Sequence, residues 1–301
     1  MEGYLKKSIF NDNIKVLRTI KEVRAEVNEL KKRNKVIGLV PTMGALHDGH
    51  FELVKRSIEQ CDYTIATIFV NPIQFGPNED FSSYPRQEEK DIDNLDKLRC
   101  DAVFVPTIEE LFPDNISNPH EILTVVSVKK LTEGLCGKFR PGHFDGMSTE
   151  VLKTFMIVMP DIAYFGEKDY QQLMIVKQMV RDLNLPICIE AVPTVREADG
   201  LAISSRNAYL TGEQRLIAPK LYTQLLDVSR QLSEKGIKCL PVLEKYEESL
   251  LKNGFDRIEY IAIVDKDKLT PVEYVENEAR LLAAVWIGDT RLIDNVPIIP
   301  E

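Results

Sequence analysis

The chain has 301 residues, 44% of them hydrophobic, and a formal net charge of −9. That composition suits a folded globular protein of about two domains, and the acidic balance argues against a nucleic-acid partner. Five cysteines are scattered with no CxxC pair, which argues against a zinc cluster or disulfide framework and for a reducing, cytoplasmic setting. MEGYLKKSIFNDN at the start lacks the apolar stretch of a signal peptide, and no run approaches the roughly 20 apolar residues of a spanning helix, so no membrane partner is expected.

Apolar runs then alternate with amphipathic ones. LKKRNK (30–35) reads as a solvated helix end. VIGLV (36–40) predicts a buried strand and HFELVKRSIEQ (50–60) the helix after it; TIATIFV (64–70) predicts a second strand. PRQEEKDIDNLDKLRC (85–100) has helical spacing with Ile92, Leu95 and Leu98 on one side, followed by a short strand, DAVFVP (101–106). STEVLKTFMIVMP (148–160), IAYFG (162–166), DYQQLMIVKQMVRDL (169–183) and ICIEAVP (187–193) continue the pattern as helix, strand, helix and strand. The alternation predicts an α/β fold: a Rossmann-like parallel sheet flanked by helices, with ligands beyond the carboxyl ends of its strands.

The texture changes after about residue 195. One long helix is predicted over 211–236, stopped by glycine, and a second over 241–254. IEYIAIVD (258–265) and RLLAAVWIG (280–288) predict strands of a smaller α+β domain. The expected division, within 184–195, gives a nucleotide-binding domain over 1–188 and a C-terminal lid domain over 189–301.

Between the first strand and its helix stands PTMGALHDGH (41–50). A strand-to-helix turn of this kind offers backbone N–H groups and a helix dipole to an anion, and Gly44 and Gly49 permit close approach. His47 and His50, three residues apart, would lie side by side there. A polar loop with incidental histidines fits the spacing equally well. GxGxxG and GxxxxGK[ST] are both absent, and the HxxH pair lacks a third metal ligand nearby. ISSRN (203–207) offers hydroxyls and an arginine fork to phosphate oxygens, but taken alone it suits a surface turn with a helix cap better.

HxGH after a strand resembles the signature of the HIGH-type nucleotidyl transferases, where ISSRN stands in place of a second phosphate loop. FVNPIQFGPNEDFSSYPR (69–86), GKFRPGHFDGMSTEVLK (137–153), FGEKDYQQL (165–173) and PTVREADGLAISSRN (193–207) follow in order. Together with PTMGALHDGH they closely resemble the pantoate–β-alanine ligase family, over nearly the whole chain.

The resemblance implies condensation of (R)-pantoate with β-alanine through an enzyme-bound pantoyl adenylate, releasing AMP and pyrophosphate. ATP is the implied co-substrate, with Mg²⁺, and the implied assembly is a homodimer built through the N-terminal domain. It places Met43, Gly44, Ala45, Leu46, His47, Asp48, Gly49 and His50 along ATP, with His50 as proton donor and His47 its companion. Gly166, Glu167, Lys168 and Asp169 would join them, Lys168 as a point charge on the phosphates and Asp169 near the ribose and phosphates. Val195 would bracket the adenine through its backbone, and Ile203, Ser204, Ser205 and Arg206 would hold the outer phosphates. Gln74 and Gln172 are the implied pantoate ligands, Gln74 also meeting β-alanine. Arg140 and His143 suit a covering loop or a route for the second substrate, and Arg196 could equally be structural. Asp80, Glu88, Glu89 and Asp91 are acids near the site, read as exposed side chains on a helix, and no metal ligand is assigned. The alternatives are another nucleotidyl transferase of the same fold, whose product would retain AMP, or a non-catalytic nucleotide-binding relative.

Overall fold

The structure, a computed structural model, describes residues 14–77, 79–113 and 121–301. The reading of MEGYLKKSIFNDN falls outside these residues. Six strands, β1 (Lys15–Leu17), β2 (Ile37–Val40), β3 (Tyr63–Thr67), β4 (Ala102–Phe104), β5 (Ile162–Gly166) and β6 (Cys188–Val192), form a parallel sheet in the order β1-β4-β3-β2-β5-β6.

Alternate residues of each strand feed two cores, as the pleat requires. Leu39, Ile65, Phe104 and Phe165 join one core with helices α1 (Ile20–Lys32), α6 (His143–Val158) and α7 (Tyr170–Asp182). Val40, Ala66, Val103 and Tyr164 join the other with α2 (Asp48–Gln60) and α3 (Glu88–Lys97). Short helices α4 (Ile108–Leu111) and α5 (Leu135–Phe139) lie in the connection before α6. The predicted alternation is therefore observed, with helices on both faces. The LKKRNK stretch is the end of α1, whose start is a capping box between Thr19 and Glu22.

The smaller unit is an antiparallel sheet, β7 (Arg257–Asp265), β8 (Ala279–Ile287) and β9 (Thr290–Ile298), backed by α9 (Lys220–Leu232) and α10 (Cys239–Lys252). Two expectations are corrected here. The single helix over 211–236 is two, α8 (Gly212–Ile217) and α9, parted at Pro219, which has no N–H to continue the ladder. The division at 188/189 cuts β6, which pairs with β5 through Val192, so the change from one sheet to the other follows that residue.

Chain order and sheet order together locate the crevice. From β2 the chain steps to β3 on one side, and β5 later takes β2's other side, so the strand order reverses between β2 and β5. The segments leaving β3, β2, β5 and β6 therefore emerge side by side at the sheet's carboxyl edge, where such folds hold their ligands.

Candidate active site

The segment leaving β2 is held in an unusual shape. Thr42 Oγ1 donates to the Thr67 carbonyl at 2.6 Å. Gly44 and Ala45 then both take left-handed backbone angles, φ 79° and 51°. A non-glycine residue pays for that conformation unless its surroundings impose it. Here the buried Asp91 carboxylate accepts from the Ala45 and Leu46 amides at 2.8 and 2.9 Å. Asp91 is thus no exposed helix acid, which corrects the reading of that side chain. It also consumes amides that the sequence reading left free for an anion. Ala45 and Leu46 bury their side chains and offer the site backbone only.

His47 caps α2: its Nδ1 accepts from the Gly49 amide at 3.2 Å. That bond makes Nδ1 the acceptor and leaves Nε2–H as the outward donor of the neutral ring. The His47 and His50 rings stack with centroids 4.1 Å apart. Burial, with Lys168 nearby, pushes His47 down to about 4. Burial, reinforced by His47, pushes His50 to about 3. Both are neutral near pH 7. The buried His50 Nδ1 has no partner among the described residues.

The segment leaving β5 is a 3-10 turn, Glu167–Asp169. Lys168 stands 3.8 Å from the Asp169 carboxylate, which opens on a cleft between the two domains. Burial opposes ionisation of Asp169, yet Lys168 and Arg206 hold it below the usual carboxylate range. A Cβ built on Gly166 would meet nothing within 4 Å, so the backbone there is open to a ligand.

The segment leaving β3 forms a 3-10 turn, Pro72–Gln74. Gln74 is buried, with Nε2 2.9 Å from Met43 Sδ and Oε1 accepting from Asn71 at 3.0 Å. Gly146 lets α6 lie against this turn, since a Cβ there would collide with the Ile73 carbonyl. His143 Nδ1 donates to the Gln74 carbonyl at 2.7 Å while Nε2 accepts from Arg140 at 2.9 Å. Arg140 in turn forks onto Glu79 at 2.5 and 2.7 Å. The covering loop expected at Arg140 and His143 is therefore corrected: His143 is buried and braces the Gln74 backbone, and only Arg140 reaches the cleft. Burial, then the Arg140 charge, drives His143 down to about 3. Gln172 lines a small cavity of about 30 Å³ with Arg140, His143, Lys168 and Asp169. Its neighbour Gln171 turns inward and donates to the Leu131 and Gly134 carbonyls.

Beyond β6, Val195 and Ile203 are joined by a backbone bond of 3.0 Å, and the Ser204 hydroxyl accepts from the Arg206 amide at 3.3 Å. Ser205 stands 3.4 Å from the Tyr84 hydroxyl. Arg206 forks onto Asp80 at 3.0 and 2.8 Å. Asp80, too, is thereby engaged and on no helix, whereas Glu88, paired with Arg18 at 2.5 Å, and Glu89 do lie on α3. Arg196 forks onto Asp294 of β9 at 2.6 and 2.8 Å and lies over the Tyr222 ring, so it anchors the segment after β6 to the small domain and is structural.

The cleft holds about 1020 Å³, with Lys168 and Asp169 on its large-domain wall, Trp286 and Arg291 opposite, and Ser204 and Arg206 contributed by the segment that follows β6. Neither imidazole lines that wall; Lys168 and Asp169, whose charges both rings feel, stand on it. The structure therefore gathers Lys168, Asp169, Ser204 and Arg206 on one cleft, Gln172 beside Lys168, and Gln74 against Met43. Asp48 is exposed at the start of α2. Asn71, Tyr84 and Glu79 are contributors the sequence reading missed. Asn71 alone carried a signal, an Asn-Pro step that caps a turn.

A family model described as pantoate-beta-alanine ligase matches residues 15–297. The pantothenate synthetase of Caldicellulosiruptor saccharolyticus is 50% identical over 284 residues, 94% of this chain and 99% of the relative. That of Paramagnetospirillum magneticum is 46% identical over 287 residues, 95% and 99% of the two chains. Among solved structures, a pantothenate synthetase from Thermus thermophilus superposes with a TM-score of 0.86 at 42% identity, covering 95% of this chain and all of that one. A pantoate-beta-alanine ligase from Francisella tularensis, complexed with beta-gamma ATP and beta-alanine, gives 0.78 at 37%, covering 94% and 97%.

Proposed function

The chain belongs to the pantoate–β-alanine ligase family, and we propose that the residues gathered at its interdomain cleft carry that family's reaction. The enzyme condenses (R)-pantoate with β-alanine at the expense of ATP, releasing AMP and pyrophosphate through an enzyme-bound pantoyl adenylate. A carboxylate cannot expel oxide, so it must first exchange that leaving group for AMP before an amine can displace it.

The observation that supports this assignment of residues is the convergence of the segments leaving β3, β5 and β6 on one cleft, with the His47–His50 pair leaving β2 close enough to feel the charges of Lys168 and Asp169. Lys168 and Arg206 lie on it with Ser204, an arrangement suited to a triphosphate. In the first step the pantoate carboxylate attacks the α-phosphorus, and charge grows on the departing pyrophosphate. Lys168 offsets it as a point charge, and Arg206 swings from Asp80 to grip the outer oxygens beside Ser204 and Ser205. His47 and His50, both neutral near pH 7, donate hydrogen bonds to the phosphate oxygens, with His50 in the donor role that the resemblance implies. The open backbone at Gly166 and the turn at Glu167–Asp169 face the nucleotide, as do residues 43–50, Val195 and Ile203.

Gln74 and Gln172 take pantoate. Neutral amides align its carboxylate without an ion pair that would blunt its nucleophilicity, and Gln74 then meets β-alanine. Mg²⁺ accompanies the triphosphate and neutralises its charge. The ion usually keeps several waters and takes one or two carboxylates; Asp169, ionised and open to the cleft, suits that place, whereas Asp91 is committed to two amides. A homodimer through the large domain is what the family resemblance implies. A cytoplasmic location is supported by the five free cysteines; no helix among the described residues is long and apolar enough to cross a membrane.

The deciding assay follows pyrophosphate exchange into ATP with the purified protein. Exchange should require pantoate, and AMP should appear in stoichiometric amount only when β-alanine is added. A product that keeps AMP would overturn the reading.

A further inference from the structure

The turn that carries Lys168 is gripped from behind by the small domain. Asn295, on β9 and 3% exposed, donates from Nδ2 to the main-chain carbonyls of both Glu167 and Lys168, each at 3.0 Å. Its Oδ1 accepts from Arg280 Nε at 2.6 Å. The other arm of Arg280 reaches the Glu167 carboxylate at 3.0 Å, and its guanidinium lies 4.3 Å from the centre of the Tyr170 ring.

The geometry has a definite consequence. The carbonyls of residues 167 and 168 belong to the two peptide planes that flank the Lys168 Cα. Peptide planes are rigid, so holding both fixes the two backbone angles of that residue and the direction in which its side chain leaves. Only an amide does this while also serving Arg280: two hydrogens for two carbonyls, one oxygen for the guanidinium. We infer that Asn295 is a positioning residue for Lys168, so that the small domain aims the lysine through its backbone as well as facing it across the cleft.

The inference rests on the reading that Lys168 acts on the triphosphate, and a double-mutant cycle separates the two. Asn295→Asp keeps the acceptor for Arg280 but sets oxygen against both carbonyls. Pantoate-dependent pyrophosphate exchange should fall roughly ten- to a hundredfold, and ATP affinity should fall with it. In a Lys168→Ala background the same change should cost no more than about twofold in ATP affinity, because there is no longer a lysine to misaim. Affinity is measured by calorimetry, so an inactive background still reports. If Lys168→Ala itself leaves exchange and affinity intact, the reading of the lysine fails. If Lys168→Ala is disabling yet Asn295→Asp keeps its full effect in that background, the loss is general and the positioning role fails while the lysine's stands. Should Asn295→Asp melt below the assay temperature, Asn295→Ala, which removes the donors without adding charge, runs the same cycle and decides in the same way.

Discussion

The imidazoles of His47 and His50 lie stacked, their centroids 4.1 Å apart and their planes 29° from parallel. A pair so close cannot easily carry two positive charges, and burial already disfavours one. His50 Nδ1 moreover lacks a partner among the described residues, so deleting the ring removes little that holds the fold. His50→Ala should therefore lower pantoate-dependent pyrophosphate exchange by roughly 10²- to 10³-fold, the effect of losing one preorganised donor. Its melting temperature should shift by only a few degrees. Exchange within threefold of the parent would remove His50 from the mechanism.

The depressed histidines link folding to pH. His47, His50 and His143 sit near 4, 3 and 3 in the folded chain, against about 6.5 when unfolded. The unfolded state thus binds more protons below pH 6.5, so their contribution is complete above that value and is lost as pH falls toward the folded values. Glu150 opposes them. Burial lifts its carboxyl to about 7, so the folded state holds a proton there that the unfolded chain, near 4.3, gives up. At pH 5 unfolding should take up about two protons, nearly three onto histidines less most of one from Glu150. Calorimetry in buffers of different ionisation enthalpy measures this; uptake below one proton contradicts the assignment.

Glu150 gives a sharper prediction of opposite sign. Its stabilising contribution is complete below about pH 4 and falls as pH rises through 7, where the buried carboxyl must ionise. Glu150→Gln keeps an oxygen for the Thr154 hydroxyl, which donates at 2.8 Å, and has no charge to bury. The variant should gain about 1–3 kcal/mol over the parent between pH 5 and pH 8, seen in urea titrations at both values. A difference that does not change with pH would show that Glu150 is not the titrating group.

Asp91 should matter out of proportion to its distance from the cleft. Asp91→Asn places an NH₂ where a carboxylate oxygen met an amide, so one bond is lost and two donors face each other. Stability should drop by about 1–3 kcal/mol. With the left-handed turn at Gly44 and Ala45 loosened, kcat should fall more than the KM for pantoate rises. An unchanged denaturation midpoint and unchanged kcat together would show that the turn holds without it.

Arg206 must leave or share Asp80 to reach a ligand. Arg206→Lys keeps the charge but loses the planar fork. The KM for ATP should rise roughly tenfold, in line with one lost charge-assisted bond, while the KM for β-alanine stays near its parent value. Equal changes in both would point to a structural rather than a phosphate-facing arginine.

The elements most visible in the sequence were those whose local periodicity and final burial agree. IAYFG (162–166) is β5 residue for residue, and the helix spacing of Ile92 and Leu95 is realised in α3, with Leu98 at its C-cap packed on the same core. Elements passed over had weak local signals. β1 is three residues long, and β9 carries Arg291, Asp294, Asn295 and Pro297 among its apolar residues. Those polar side chains face contacts made by distant segments, Glu259, Arg196 and the 167–169 turn, so no window of the chain explains them.

The same division runs through the site. By itself the sequence determined where the turns with polar donors fall between strand and helix, because strand-to-helix turns, glycines and the His–x–x–His spacing are local facts. It also determined the parallel sheet, because alternation along the chain forces crossover connections. Only the tertiary structure decided how those turns are held: His47 caps its own helix, Asp91 takes two amides, Asp80 holds Arg206, and Asn295 aims Lys168. Each of these is a bond between residues dozens of positions apart or a choice among competing donors. Hydrogen bonds of that kind are settled by which groups packing brings within about 3 Å, a distance that sequence spacing does not encode.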